Sequence, residues 1–261
     1  MNTNSNVYTV VYTTVVVVIV AAVLAFVAMK LGPAQQANAK AETLRQMMTA
    51  AKVSDSGELA AMSNADVLGL YSENISEAFA IDLGGNKVRD LKVEKSDIEL
   101  IDNLKPQDKA IKAAGEATLP VYRFKSGITV IPVYGAGLWG PVWGYVAFRN
   151  DGVTIEGAYF DHEGETPGLG AKIKDEPWFR EKFSGRKVAF DSEEPFNLTK
   201  NAEATGAENA VDAITGATMT SKGLNAALNV WFKAYAAYFA SAAVPAAEPE
   251  TGAKTPKEEE K

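Results

Sequence analysis

Asp212-Ala213-Ile214-Thr215-Gly216-Ala217-Thr218 gathers small and hydroxyl-bearing residues directly before an apolar C-terminal segment. A Gly-Ala pair between threonines has little side-chain bulk, so a large group can approach its backbone closely. Downstream, Leu224, Leu228, Trp231, Tyr235 and Tyr238 recur at steps of four and three, which predicts a helix with one apolar stripe. The start of such a helix offers unpaired N–H groups and a positive dipole end, a natural seat for a phosphate. The plainer role for these residues is a helix N-cap in a small-residue turn. Thr220 or Ser221 is the expected N-cap, which leaves Thr218 just outside the helix.

Two glycine-rich loops stand between predicted strands. The first, Tyr134-Gly135-Ala136-Gly137-Leu138-Trp139-Gly140-Pro141, contains G-x-G. It lacks the third glycine of a dinucleotide fingerprint, and Trp139-Gly140-Pro141 breaks any helix start. Glycines such as Gly137 let a ligand or another backbone come close, with Leu138 and Trp139 as apolar walls for a planar ring. The competing reading is a Gly/Pro corner of a curved sheet with the tryptophan in the core. The second loop is His162-Glu163-Gly164-Glu165-Thr166-Pro167-Gly168-Leu169-Gly170-Ala171-Lys172. Pro167-Gly168 sets a turn, and Gly170 keeps the backbone bare beside Leu169. Thr166 and the loop's N–H groups are candidates to hydrogen-bond a heterocycle, with Lys172 near its negative charge. Glu165 is a further candidate contact, although it and Glu163 also read as solvated loop charges. His162 reads as a satisfied polar side chain.

Composition removes most other chemistry. With no cysteine there is no disulfide, no thiolate metal site, no Cys-ligated iron–sulfur cluster and no thiol nucleophile. His162 is the single histidine, so any Ser-His-Asp triad or histidine-containing metal site would have to use it. Redox work therefore needs an organic cofactor. A net charge of −7 and the lack of a basic run exclude nucleic acid as a natural partner.

The elements that must position these loops follow from periodicity. Tyr8 to Met29 carries no charge and is dominated by Val, Ala, Ile and Leu. As a helix it spans roughly 33 Å, the thickness of a bilayer's hydrocarbon core. A cleavable signal would want a basic residue ahead of a shorter apolar run, and residues 1–7 have none. Tyr8 and Tyr12 suit one interface and Lys30 the other. Lys30, Lys40 and Arg45 all follow the span, which by the positive-inside rule places the remainder in the cytoplasm. Gly32-Pro33 is expected to end the span, with a new helix over 34–52. Strands are expected at 79–83, 87–93, 119–124, 128–133, 142–149, 153–160 and 187–190, with a short helix or loop around 66–71, polar helix or loop over 95–117, and helix over 172–183. The division is thus an N-terminal segment over 1–33, one soluble domain over 34–243, and a Pro/Ala/Glu/Lys-rich tail over 244–261 expected to be disordered.

The run D-x-x-[S/T]-G-A-T resembles the sequence on which a flavin transferase esterifies the phosphate of FMN to the final threonine, here Thr218. Together with the N-terminal span, Gly-x-Gly-Leu-Trp-Gly at Gly135 to Gly140 and Glu-Thr-Pro-Gly-Leu-Gly at Glu165 to Gly170, it makes the chain resemble the C subunit of the Na⁺-translocating NADH:quinone oxidoreductases. The last loop and the threonine motif are shared with the G subunit of the Rnf ferredoxin:NAD oxidoreductase. The Leu-Trp loop and the total length favour the sodium-pump family. One departure is Ala213-Ile214-Thr215, where Gly and Ser often occur.

The resemblance implies an α+β fold: a single transmembrane helix followed by one mixed α/β FMN-binding domain. It implies FMN held covalently on Thr218, with Asp212, Thr215, Gly216, Ala217 and Thr220 around the attachment and Gly137, Leu138, Trp139, Glu165, Thr166, Gly168, Leu169, Gly170 and Lys172 around the ring. No catalytic or metal-ligating residue is expected. The implied role is an electron relay within a translocase of six subunits in the bacterial inner membrane, with no turnover alone. A flavin transferase is the maturation partner. The resemblance also implies a periplasmic domain, against the charge rule, and three basic residues spread over sixteen positions are the weaker signal. The remaining alternatives are an Rnf-type subunit with the same covalent FMN, and a membrane-tethered binding or scaffold module without cofactor.

Overall fold

The computed structural model describes residues 6–242, so the tail expectation lies outside the described residues. The first element, α1 (Asn6–Ala50), is one helix of 45 residues, roughly 67 Å long at 1.5 Å per residue. Its apolar N-terminal part is unburied and long enough to cross a bilayer. The expected break at Gly32-Pro33 is absent, and the helix runs straight through the 33/34 boundary. Pro33 removes one N–H, a cost of about 3 kcal/mol. Strong helix formers on both sides and the anchored end beyond offset it. That end packs Ala41, Leu44, Met47 and Met48 into the domain, and Lys52 closes the helix in the left-handed region (φ 53°). Lys40 donates to the Ile98 carbonyl (2.6 Å), and Arg45 donates to the carbonyls of Leu59 (3.0 Å) and Met62 (2.9 Å).

Two capped helices follow: α2 (Ser56–Ala61), whose N-cap Asp55 accepts from Gly57 N–H, and α3 (Asn64–Asn74), whose N-cap Ser63 accepts from Asp66 N–H. Six strands then form one antiparallel sheet: β1 (Ile75–Ile81), β2 (Lys87–Leu91), β3 (Leu119–Phe124), β4 (Thr129–Ala136), β5 (Pro141–Phe148) and β6 (Ile155–His162), in the order β2-β1-β3-β4-β5-β6. Helix α4 (Leu104–Lys112) interrupts the run between β2 and β3. Strand alternation sends successive residues to opposite faces. Tyr122, Val130, Tyr145 and Ala147 face α1 and α3. Val121, Ile131, Val133, Val146 and Phe148 face the long C-terminal helix.

The segment after β6 is more broken than the sequence suggests. The helix expected over 172–183 is two short pieces, α5 (Lys172–Asp175) and α6 (Pro177–Glu181), because Pro177 can start a helix but not continue one. The strand expected at 187–190 does not form. Lys187 makes one isolated bridge to Thr154, and Phe190 turns inward to stack on Phe239, with centroids 4.8 Å apart. A parallel pair not anticipated from sequence, β7 (Asn197–Thr199) with β8 (Ala210–Asp212), encloses the one-turn helix α7 (Ala202–Thr205). Helix α8 (Thr218–Ala242) closes the fold. Leu224, Leu228, Trp231, Tyr235 and Tyr238 are all buried, as the stripe predicts. Gly223 permits very close approach of α8 to β4, since a Cβ there would collide with the Ala136 carbonyl.

Candidate functional site

Thr218 is the first residue of α8, not a residue outside it, and Ser221 N–H already donates to the Ala217 carbonyl (2.9 Å). Neither expected cap acts as one. The Thr220 hydroxyl donates to the Glu165 carboxylate, and the Ser221 hydroxyl accepts from Ile214 N–H (3.2 Å). Both side chains point inward and are buried, whereas Thr218 is exposed. The turn into the helix depends on Gly216 in the left-handed region (φ 83°), with Leu169 packed over it.

Two clefts meet at Thr218. The narrow one, about 180 Å³, is lined by Leu138, Glu165, Thr166, Leu169, Gly170 and residues 216–220. The wide one, about 710 Å³, is lined by Lys172, Trp178, Lys182, Thr199, Lys200, Asn201, Asp212, Thr215 and Lys222, among others.

The narrow cleft is built around one buried charge. Glu165 is 4 % exposed, so the reading as a solvated loop charge is corrected. Its Oε1 accepts from the N–H groups of Leu138 (2.7 Å) and Trp139 (2.9 Å), and its Oε2 from Thr220. Burial pushes this carboxyl up, but the Thr220 hydroxyl and the Trp139 and Leu138 N–H groups outweigh it and hold it below the usual carboxylate range. His162 Nδ1 accepts from Glu165 N–H (3.2 Å). His162 Nε2 is buried without a hydrogen-bond partner among the described residues, so the side chain is only half satisfied. The Thr166 carbonyl accepts from both Leu169 and Ala171 N–H (3.1 Å each), and Gly168 takes the left-handed position (φ 73°) of the Pro167-Gly168 turn.

The wide cleft is basic and loosely tied. Lys182 pairs with Glu203 (2.7 Å) and Asp212 (3.7 Å) and lies 5.5 Å from the Trp178 ring centre. Lys172, Lys200 and Lys222 make no ion pair among the described residues. Pairing of β7 with β8 sets Thr199 opposite Asp212 and so brings residues 198–201 to the motif.

The structure thus brings Asp212, Thr215, Gly216, Ala217, Thr218, Thr220, Leu138, Glu165, Thr166, Leu169, Gly170 and Lys172 to the two clefts. Gly137, Trp139 and Gly168 line neither. Gly137 lies against the Glu165 carboxylate. The Trp139 ring is 70 % exposed, neither a wall of a cleft nor a core residue. Sequence reasoning missed Trp178, Lys182, Lys200, Asn201 and Lys222. Of these, only Lys222 carried a signal, its place one turn beyond Thr218.

These residues suit a phosphorylated planar cofactor. Unpaired ammonium groups line the wide cleft that Thr218 shares, the helix start adds its first-turn N–H groups, and apolar side chains with bare backbone line the narrow cleft.

Comparison with known proteins agrees. Residues 137–233 match the model of a family described as FMN-binding domain. The chain is 35 % identical over 145 residues to the C subunit of the Na⁺-translocating NADH-quinone reductase of Vibrio anguillarum, covering 54 % of this chain and 56 % of that one. It is 38 % identical over 137 residues to the Neisseria meningitidis serogroup A protein of the same name, covering 49 % of this chain and 52 % of that one. These alignments span about half the length of the curated relatives. The crystal structure of the same subunit from Parabacteroides distasonis superposes with a TM-score of 0.62 at 31 % identity, over 78 % of this chain and 94 % of that one. NqrC of Shewanella oneidensis superposes with a TM-score of 0.61 at 26 % identity, over 77 % and 96 %. On the match that spans nearly the whole solved Parabacteroides protein, this chain belongs to the NqrC family, the C subunits of the Na⁺-translocating NADH-quinone reductases.

Proposed function

We propose that the chain carries FMN as a phosphoester on the Thr218 hydroxyl and relays electrons within a Na⁺-translocating NADH:quinone oxidoreductase. The observation that carries this reading is the exposed Thr218 at the first turn of α8, where the basic wide cleft and the narrow cleft meet. FMN, when bound, supplies the redox chemistry. Thr218 tethers it, and Gly216-Ala217 leave it room. Lys172, Lys200, Lys222 and the first-turn N–H groups offset phosphate charge. Leu138 and Leu169, half-exposed beside the narrow cleft, cover part of a ring and shield it from water. Thr166 and the bare backbone at Gly170 offer polar contacts at its edge. The chain has no cysteine, one histidine and no nicotinamide fingerprint, so it has no turnover with NADH alone.

Helix α1 holds this domain to the bacterial inner membrane, with the domain on the periplasmic side. The charge rule loses its force here, because Lys40 and Arg45 are bonded inside the domain and only Lys30 stands near the span's end. The partners are the other five members of the respiratory complex and a flavin transferase.

The test is fluorescence of the denatured chain on a gel, after production with a flavin transferase. The parent fluoresces and Thr218→Ala is dark. Fluorescence that survives Thr218→Ala places the flavin elsewhere and overturns the assignment.

A further inference from the structure

We propose that the Glu165 carboxylate is a positioning residue for the cofactor: it locks both glycine-rich loops onto the first turn of α8 and keeps a fixed negative charge in the lining of the narrow cleft. The proposal rests on the FMN reading above and deepens it.

Three segments far apart in sequence converge on this one group. The loop after β4 donates two backbone N–H groups, and α8 donates the Thr220 hydroxyl. The loop after β6 supplies the carboxylate itself. The glycines of the two loops are fitted to it. A Cβ on Gly137 would lie 2.5 Å from Glu165 Oε1, and a Cβ on Gly170 would lie 2.5 Å from Oε2 and would also collide with the Thr220 hydroxyl. These two glycines therefore make room for the carboxylate, whatever they also allow a ligand. The arrangement fixes Leu138 and Leu169 in the lining of the narrow cleft, which Thr218 shares from the first turn of α8.

The charge has its own consequence. Three donors keep the carboxylate ionised although it is almost wholly buried. Reduction adds negative charge to the ring, and a nearby anion screened by little water opposes it. Glu165 thus lowers the reduction potential of the bound flavin as well as shaping its seat.

The experiment uses the full chain loaded by a flavin transferase and reads the flavin's midpoint potential, its absorption spectrum and the chain's thermal midpoint. Glu165→Gln keeps an acceptor for the Leu138 and Trp139 N–H groups and removes the charge. It is expected to retain the flavin and to raise its potential. Thr220→Val removes one donor and leaves the charge. It is expected to lower the thermal midpoint and alter the flavin spectrum without raising the potential. A Glu165→Gln potential equal to the parent's overturns the proposal, as does a folded Glu165→Gln chain without flavin. If Glu165→Gln does not fold, Thr220→Val decides alone, and a parental spectrum there overturns the proposal. A parent chain that carries no flavin overturns the underlying reading instead.

Discussion

The two clefts at Thr218 are held together in opposite ways. The narrow cleft is over-determined: one buried carboxylate, three donors and two glycines with no space for a Cβ. The wide cleft is lined by long lysine side chains, and three of its four lysines have no ion partner among the described residues. Shape is invested on one side and charge on the other. A planar ring needs walls at fixed spacing, whereas a phosphate needs only positive charge within reach, which flexible ammonium groups supply.

Three changes test this contrast. The largest effect is expected from Gly170→Ala, whose Cβ meets Glu165 and Thr220. It should cost about 1–3 kcal/mol of stability and disturb the bound flavin's spectrum, read by thermal melting and absorption. A parental melting curve would show that the narrow cleft yields easily. The wide cleft should behave differently. Lys172→Gln with Lys222→Gln should slow flavin attachment several-fold, followed as fluorescence against time, while stability stays within about 0.5 kcal/mol, as for surface changes generally. Equal loss of stability in both experiments would erase the distinction.

The smallest effect concerns acid. Because the folded Glu165 carboxyl is held below its ordinary range, its contribution is present above about pH 4.3 and is lost as pH falls through the folded value. Glu165→Gln should therefore flatten the acid limb of the stability curve, measured by denaturant unfolding between neutral pH and about pH 3. Lys222→Gln should leave that limb unchanged.

What could be read from sequence tracks how locally each feature is encoded. The hairpins on either side of Lys125-Ser126-Gly127 and Asn150-Asp151-Gly152 follow from turn residues between alternating strands, and the α8 stripe follows from spacing alone. Thr218 and both glycine-rich loops are legible as a candidate site because small residues and turn formers stand out in any context. The continuity of α1 through Pro33 is not legible, since proline's local penalty is overridden by helix formers on both sides and by the packing of the helix's C-terminal end. The β7–β8 pair has three residues in each strand, too few to show a period, so Lys200 and Asn201 could not be placed near Asp212. For Glu165 the sequence leaves two readings open, cofactor contact and solvated charge, for the same kind of reason. A glutamate in a glycine-rich loop looks solvated until the donors from Leu138, Trp139 and Thr220 arrive from elsewhere in the fold.

The intact mass of the full chain, produced with a flavin transferase and compared with Thr218→Ala, tests the central claim most directly. The parent is expected to be heavier than its sequence by one FMN less one water, and the Thr218→Ala chain to stand at its unmodified mass. A parent at its unmodified mass, or a Thr218→Ala chain that still carries the flavin, would contradict it.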